Sequence, residues 1–358
     1  MRKIRTGILG ATGMVGQRFI TLLANHPWFE VVVVAASPTS SGKSYQEAVK
    51  GRWYMNSPIP EKIKKLKVRA VENDFTQVVK EVDMVFSALD LDKEKIKQIE
   101  IAYAREGVAV VSNNSAHRWT EDVPMIMPEI NPHHIKLVDL QRKNRGWDKG
   151  LIAVKPNCSI QSYVTILTAL KKYKPHKVSV TSLQSISGAG KTFQTWPEMV
   201  DNVIPFIGGE EEKSEKEPLK IWGEIFGNKI KLSAKPKISA RCIRVPTTNG
   251  HMAVVSVKFS KIPSKEQIIH SVSNFNPLKN LNLPSSPVKL IKYFEEDNRP
   301  QTGLDRYLGK GMSISMGRLS EDLFFDWKFI ALSHNTIRGA AGGAILLAEL
   351  LCKKEYII

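Results

Sequence analysis

Apolar runs of strand length recur along the first part of the chain. They are short, rich in β-branched residues and bounded by polar or glycine-containing turns. This pattern is typical of strands that are buried on both faces of a parallel sheet. Five such runs are Ile4 to Leu9, Phe29 to Ala36, Asp83 to Ser87, Val108 to Val111 and Leu151 to Lys155.

Helical patterns lie between these strands. Apolar side chains at Phe19, Leu22 and Leu23 follow a glycine-rich turn, and Asp92 can cap a helix over Lys93 to Arg105. Strands that alternate with helices predict the α/β class. Here they predict a Rossmann-type, doubly wound nucleotide-binding domain.

The pattern changes after about residue 175. The β-rich segments Lys177 to Gln184 and Met252 to Phe259 flank an acidic polar stretch, Gly208 to Lys213, which predicts a second domain of the α+β kind.

The chain closes with a strand, Lys328 to Ser333, a turn of small residues and an apolar helix to Leu351. We expect this helix to pack back onto the first sheet, so that the second domain is an insertion. The predicted boundaries are 1–157 for the nucleotide-binding domain, completed by 335–358, and 158–334 for the inserted domain.

Gly10, Gly13 and Gly16 follow the first strand with GxxGxxG spacing. In a dinucleotide site such glycines let the backbone approach the cofactor's diphosphate, and the next helix supplies N–H groups and the positive end of its dipole. The alternative is a structural glycine turn without a nucleotide. The flanking strand and helix favour the dinucleotide site.

The end of the second strand indicates which nucleotide binds. NAD sites usually place Asp or Glu there, whereas this chain continues with Ser37-Pro38-Thr39-Ser40-Ser41-Gly42-Lys43. Hydroxyls, backbone N–H groups and a lysine suit a 2′-phosphate, so we predict NADP(H). The predicted cofactor contacts in this half are Gly10, Thr12, Gly13, Met14, Val15, Ser37, Ser40, Ser41, Lys43, Ser87, Ala88 and Leu89.

Cys158 follows the fifth strand, within Pro156-Asn157-Cys158-Ser159, and an apolar helix around Tyr163 to Tyr173 comes next. Because a helix N-terminus favours the thiolate, this placement predicts a nucleophilic thiol. Cys242 and Cys352 have no such setting. The alternative for Cys158 is a small, buried apolar residue.

Composition narrows the functional classes. The 358 residues include 52 Lys+Arg and 35 Asp+Glu, a formal net charge of +17. The basic clusters are short and lack interleaved aromatic residues, so we expect small anionic ligands rather than nucleic acid. The apolar runs are too short for a membrane span. Three cysteines without CxxC spacing predict a reduced, cytoplasmic protein with no metal site.

Further motifs follow one another across nearly the whole chain. They are Gly10 to Gln17, Pro156 to Ser159, Gln184 to Gly190, Asp201 to Pro205, Gly209 to Lys213, Arg244 to Pro246 with Gly250-His251, Arg299 to Gln301, and His334 to Ala341. In this order they resemble the aspartate-β-semialdehyde dehydrogenases, and in particular the archaeal and fungal branch. Eight matches in order leave little room for coincidence.

The resemblance implies NADPH-dependent reductive dephosphorylation of L-aspartyl-4-phosphate to L-aspartate 4-semialdehyde through a cysteine thioester, a step toward lysine, threonine and methionine. By position, Cys158 is similar to the family's nucleophile, His251 to its acid/base and Gln184 to the glutamine that orients groups beside the thiol. The inserted domain takes the catalytic and dimerisation roles, and the family's members are homodimers or homotetramers.

The remaining site residues are also implied by position. Arg244 resembles the clamp for the substrate α-carboxylate, and Glu210 resembles the partner of its amino group. The implied phosphate-binding residues are Arg118, Asn157 and Lys213, and the further cofactor contacts are Ser187, Gly188, Asn335 and Thr336.

Two segments depart from the family pattern. Lys191 to Gln194 replaces an aromatic residue followed by Pro-Gly, and Thr302 to Arg306 stands where Pro-Arg is common. The alternatives are therefore a malonyl-CoA reductase or another acyl-phosphate or acyl-CoA reductase. A non-catalytic protein that binds a nucleotide or nucleic acid is a further alternative.

Overall fold

A six-stranded parallel sheet forms the first half of the protein. The computed structural model describes residues 2–358, and the strand order in this sheet is β3-β2-β1-β4-β5-β6. The order reverses between β1 and β4, so the crevice at their carboxyl ends is the expected place for a ligand. The strands are β1 (Ile4–Leu9), β2 (Phe29–Ala36), β3 (Val68–Ala70), β4 (Met84–Ser87), β5 (Ala109–Ser112) and β6 (Leu151–Val154).

Helices cover this sheet. Asp92 caps α5 as predicted, because its Oδ1 accepts hydrogen bonds from the backbone N–H groups of Glu94 and Lys95 at 2.9 and 3.4 Å. The helices are α1 (Met14–Leu23), α2 (Tyr45–Ala48), α3 (Glu61–Lys64), α4 (Phe75–Glu81), α5 (Lys93–Arg105) and α6 (Leu137–Arg145). The predicted Rossmann-type α/β fold is confirmed.

The glycine pattern is required by close approach of backbones. A Cβ at Gly10 would lie 2.2 Å from the carbonyl oxygen of Ala88, and one at Gly16 would lie 2.2 Å from the carbonyl oxygen of Gly10. Gly10 also has φ +82°, which L side chains rarely adopt. The turn is therefore pressed against the end of β4, and α1 begins directly after Gly13 without a side-chain cap.

The second half contains a mixed six-stranded sheet with the order β10-β7-β11-β14-β13-β12. Its strands are β7 (Pro175–Ser185), β10 (Lys237–Val245), β11 (His251–Phe259), β12 (Ile291–Tyr293), β13 (Ile314–Glu321) and β14 (Trp327–Ser333); β8 (Glu224–Phe226) and β9 (Lys229–Lys231) form a separate hairpin. The remaining helices along the chain are α7 (Gln161–Ala169), α8 (Glu210–Ile221), α9 (Lys265–Ser273), α10 (Thr302–Asp305) and α11 (Gly342–Lys353).

One face of this sheet packs on α7. Val180 and Val255 share a buried cluster with Tyr163 and Leu167 of that helix, whereas Val254, on the opposite face, keeps 41% of its surface exposed. The sheet thus has one covered and one open face, as antiparallel pairing permits. No helix within residues 2–358 combines the length and the apolar character needed to cross a membrane.

The C-terminal helix α11 is buried on all sides from Gly342 to Leu351. A π-helical turn, Ile337–Ala341, leads into it, and its side chains join the cluster that contains Ile8 and Phe86 of the first sheet. The chain therefore returns to the first sheet after the second is complete.

Candidate active site

Cys158 lies between β6 and α7, at the carboxyl edge of the parallel sheet. Its sulfur is 3.4 Å from Nε2 of His251, the first residue of β11. The helix after Cys158 begins two residues before the predicted start at Tyr163 and ends at Ala169, before the predicted end at Tyr173, and a short 3₁₀ turn covers Lys171–Tyr173. The thiol is therefore outside the helix, in the loop that precedes it.

The expectation that the helix dipole lowers the pKa of Cys158 is wrong in these surroundings. Burial raises the pKa of this thiol to about 11, although the side chain keeps part of its exposure, and the Glu210 carboxylate adds to the rise. The charges of Lys155, Arg118 and Arg244 act in the opposite direction. The thiol is protonated at neutral pH, so its ionisation depends on nearby cations and hydrogen-bond donors.

His251 is held by Ser185, the last residue of β7. The backbone N–H of Ser185 donates to His251 Nδ1 at 3.1 Å, and the Ser185 hydroxyl lies 3.2 Å from the same nitrogen. Burial, Arg244 and His334 lower the pKa of His251 to about 3, so the ring is neutral. Because a backbone N–H is always a donor, Nδ1 is an acceptor and the ring proton is on Nε2, facing the sulfur.

Arg244 lies at the end of β10, and its Nη1 donates to the Ser185 carbonyl at 2.7 Å. Gly188 leaves space in front of this arginine and the histidine. A Cβ at Gly188 would lie 2.9 Å from Arg244 Nη1 and 3.1 Å from His251 Nε2. The predicted cofactor residue Gly188 and the predicted substrate residue Arg244 therefore border the same space beside Cys158.

Glu210 opens helix α8 and connects three of the predicted residues. Its carboxylate accepts hydrogen bonds from Asn157 Nδ2 at 3.0 Å, Lys213 Nζ at 2.8 Å and Gln184 Nε2 at 3.3 Å. Gln184 also donates to Ser182 at 3.1 Å. The Gln184 amide thus contacts Glu210 and Ser182. Its predicted role in orienting groups beside the thiol would act through its hydrogen bond to Glu210.

Glu217 is a buried carboxylate that was not predicted from the sequence. It accepts the backbone N–H of Asn157 at 2.7 Å and Arg118 Nη1 at 2.9 Å. Glu217 follows Glu210 by two helical turns, so both carboxylates lie on the face of α8 that meets the Cys158 loop. The seven-position spacing of these two glutamates is the sequence feature that could have identified Glu217.

The loop after β2 lies beside the glycine turn, but its side chains are engaged with one another. Ser37 Oγ is 2.9 Å from Thr39 Oγ1, Lys43 Nζ donates to the Thr39 carbonyl at 3.0 Å, and Ser40 Oγ accepts from Arg52 at 3.1 Å. Arg52 is a second cation at this loop that the sequence analysis did not consider.

Asn335 connects the predicted cofactor residue Ser187 to the turn that precedes His251. Its side-chain amide donates to Ser187 Oγ at 2.8 Å and accepts the backbone N–H of Gly250 at 2.8 Å. Within the first sheet, Ser87 Oγ accepts from Asn114 at 2.9 Å. The turn after β4 is therefore fixed independently of any ligand.

His334 supplies a test of whether this cleft fits a dinucleotide. Its Nδ1 accepts the backbone N–H groups of Thr336 and Ile337, both at 3.3 Å, and the nearby charges of Arg18 and Arg306 help burial to lower its pKa to about 3. The neutral ring then carries its proton on Nε2, which is buried without a partner in residues 2–358. An unsatisfied donor that lies near Arg18 of α1 and near His251 fits an acceptor-rich nucleotide.

The two segments that depart from the family pattern differ in their position. Thr302 approaches the active site, because its Cγ2 would lie 3.3 Å from a Cβ at Gly250, next to His251. Lys191 follows the turn that contains Gly188, and its side chain is exposed. No group of His, Cys, Asp or Glu in the described part of the chain has the arrangement to hold a metal ion.

Comparison with known proteins gives matches along the chain. Residues 5–138 match the family model "Semialdehyde dehydrogenase, NAD binding domain", and residues 167–338 match "Semialdehyde dehydrogenase, dimerisation domain". The aspartate-semialdehyde dehydrogenase of Archaeoglobus fulgidus is 46% identical over 98% of both chains. That of Saccharomyces cerevisiae is 40% identical, again over 98% of both. The archaeal and fungal resemblance is confirmed.

Solved structures agree. The aspartate semialdehyde dehydrogenase of Candida albicans, solved with NADP, superposes with a TM-score of 0.87 at 36% identity, over 99% of this chain and 100% of that chain. An aspartate semialdehyde dehydrogenase II of Vibrio cholerae superposes with a TM-score of 0.75 at 24% identity, over 98% and 99% of the two chains. The second match shows the fold alone.

Proposed function

The chain belongs to the aspartate-semialdehyde dehydrogenase family, and we propose from this premise that it catalyses the NADPH-dependent reductive dephosphorylation of L-aspartyl-4-phosphate to L-aspartate 4-semialdehyde. The observation that carries the proposal is the 3.4 Å contact between Cys158 Sγ and His251 Nε2, with Arg244 and Glu210 beside it. A thiol, an imidazole, a guanidinium and a carboxylate are the groups that this substrate requires.

The reaction divides into two steps at Cys158. Its thiolate attacks the acyl carbon, a C–S bond forms, the C–O bond to phosphate breaks, and inorganic phosphate leaves. NADPH supplies a hydride to the resulting thioester. The tetrahedral thiohemiacetal then collapses, the C–S bond breaks, and the aldehyde is released. One proton is taken up overall.

His251 acts on this intermediate through Nε2. In the tautomer set by the Ser185 N–H, it donates a hydrogen bond to the sulfur or to the oxygen that becomes negative. Acceptance of a proton requires the other tautomer, in which Nδ1–H donates to the Ser185 hydroxyl at 3.2 Å. Ser185 therefore favours the donor half of the predicted acid/base role, and the acceptor half requires a tautomer that its backbone N–H opposes.

The substrate's charges have matching partners. Arg244 offers the unused part of its guanidinium to the α-carboxylate, for which a planar fork is better suited than an ammonium. Glu210 would bind the amino group, while Arg118, Lys213 and the Asn157 amide would bind the phosphate. In this structure Arg118 pairs with Glu217 and Lys213 with Glu210, so these carboxylates hold the cations in place.

NADP(H) is proposed to lie across the crevice between the two sheets. Backbone N–H groups of the turn from Gly10 to Val15 would bind the diphosphate at the start of α1. The loop from Ser37 to Lys43, with Arg52, would bind the 2′-phosphate. The nicotinamide end would meet the remaining predicted contacts, which are Ser87, Ala88, Leu89, Ser187, Gly188, Asn335 and Thr336.

The match to a dimerisation domain supports assembly of copies of this chain. We propose a homodimer or homotetramer that uses the open face of the second sheet, on which Val254 is exposed. Residues 1–157 with 335–358 would form the nucleotide-binding domain and 158–334 the catalytic one. Three free cysteines support a cytoplasmic enzyme.

A substrate comparison tests the proposal. Purified protein is assayed for NADP⁺ reduction by aspartate semialdehyde with phosphate, and for NADPH oxidation by malonyl-CoA. We expect activity only in the first assay. Activity with malonyl-CoA alone would establish the alternative reductase, and inactivity in both assays with retained NADP⁺ binding would point to a binding protein.

A further inference from the structure

Lys155 is a buried lysine that has no role in the proposed reaction steps. It follows β6 directly, in the loop that contains Cys158, and 2% of its surface is exposed. Its Nζ donates to the Pro156 carbonyl at 2.5 Å. Buried Arg118 and Arg338 pair with Glu217 and Glu129, whereas Lys155 forms no ion pair within residues 2–358.

The C-terminal segment holds Lys155 and Cys158 from one side. A Cβ at Gly339 would lie 2.8 Å from Cys158 Cβ, and a Cβ at Gly343 would lie 3.1 Å from Lys155 Cε. These two glycines lie four positions apart in the C-terminal segment, which thus contacts both residues of the loop. The C-terminal segment therefore restricts the space open to both side chains.

Several charged groups surround this ammonium. Arg118 and Arg338 oppose its charge, Cys158 and Glu217 favour it, and Glu129 lines the same small cavity beside Gln161. Burial is the largest influence and lowers the pKa of Lys155 to about 7. A lysine kept in such a costly position without a carboxylate partner is more typical of a functional site than of a core.

The Cys158 thiolate needs a source of stabilisation of this kind. His251 Nε2 already carries a proton in the tautomer set by Ser185, so it can donate to the sulfur but cannot take its proton. Under the proposed function, Arg118 and Arg244 turn to the substrate's anions. Of the three cations that oppose burial at the thiol, Lys155 has the largest effect, and the proposed reaction assigns no substrate group to it.

We propose that Lys155 is a positioning residue whose ammonium stabilises the thiolate of Cys158 from the protein interior. This inference rests on the proposed function, in which Cys158 is the nucleophile. It assigns to Lys155 the control of thiol ionisation before any substrate binds. It is therefore testable without substrate or cofactor.

The test is the pH dependence of Cys158 alkylation by iodoacetamide, followed by peptide mass spectrometry between about pH 5.5 and 9.5. Lys155→Met removes the charge, and Lys155→Gln also removes it while keeping a donor for the Pro156 carbonyl. We expect both variants to be alkylated about tenfold more slowly at pH 7, because one unit of thiol pKa changes the thiolate fraction tenfold.

Lys220→Met is the matched control. Lys220 is also a buried lysine, whose pKa burial lowers to about 8, but it donates to the carbonyls of Arg118 and Val123 and is not among the charges that act on Cys158. Its alkylation profile should follow the wild type. Unchanged alkylation profiles in both Lys155 variants would overturn the proposal. A wild-type profile in Lys155→Gln alone would also overturn it, because the effect would then belong to the hydrogen bond with Pro156.

If neither variant folds, the pH profile of alkylation in the wild-type protein tests the proposal. As pH rises through 7, Lys155 loses its charge, so the rise in alkylation rate with pH should flatten there and resume at higher pH. A profile with a single titration step would contradict the proposal. Because the assay contains no substrate, a failure of the proposed reaction would not change its outcome.

Discussion

The two sheets provide binding groups in different ways. In the first sheet the groups that we propose for cofactor binding are largely backbone atoms of the turn at Gly10 to Gly16, which is fixed because Ala88 and Gly10 leave no room for a Cβ. In the second sheet they are side chains held by other side chains or by distant backbone, as Ser185 holds His251 and Arg244. A site of the first kind tolerates changes in side chains, whereas a site of the second kind depends on each partner.

The largest effect should come from the carboxylate that holds the Cys158 loop. Glu217→Gln leaves Arg118 buried beside a neutral amide and weakens the bond to the Asn157 N–H, so the free energy of unfolding should fall by about 3 to 5 kcal/mol in urea denaturation. Glu212→Gln, on the same helix but with 67% of its side chain exposed, should cost less than about 0.5 kcal/mol. Equal losses of unfolding free energy in the two variants would show that the contacts of Glu217 with Arg118 and Asn157 do not stabilise the fold.

The next effect concerns recognition of the substrate carboxylate. Arg244→Lys keeps the charge but loses the planar fork, and kcat/KM should fall about 100-fold, which corresponds to about 2.7 kcal/mol. Arg241→Lys is the control, since Arg241 lies on the same strand with 75% of its side chain exposed. A kcat/KM for Arg244→Lys within about twofold of wild type, or ~0.4 kcal/mol, would remove Arg244 from the site.

The smallest effect belongs to the loop after β2. Combined Ser40→Ala, Ser41→Ala and Lys43→Ala changes should raise the Kd for NADPH about tenfold and leave that for NADH unchanged, because only the 2′-phosphate contacts are removed. Fluorescence titration measures both values. Lys50→Ala, which removes a nearby exposed charge, serves as the control. Equal weakening of the two cofactors would contradict the assignment of this loop.

The same contrast explains which features the sequence could predict. The strands Ile4–Leu9 and Phe29–Ala36 and the helix Lys93–Arg105 match the predicted bounds, because their apolar periodicity and caps are local. The glycine turn and the position of Cys158 at a strand end could be predicted for the same reason. Motifs in the family's order supplied the other candidate residues.

The electrostatics of the site could not be predicted in this way. The pKa of Cys158 is raised because the distant segment at Gly339 and the helix that begins at Glu210 enclose it. Glu217 and Lys155 were missed because an acidic helix and a lysine after a strand are both common on protein surfaces. Only the packing of α8 and the C-terminal segment buries them.

The covalent step at Cys158 is the central claim, and a phosphate-free burst tests it most directly. Aspartate semialdehyde and NADP⁺ are mixed with the enzyme without phosphate, so that a thioester can form but phosphate cannot release it. We predict about one NADPH per subunit in the burst, sustained turnover on addition of phosphate, and no burst in Cys158→Ser. Turnover with phosphate but no burst without it, or an undiminished burst in Cys158→Ser, would contradict the account.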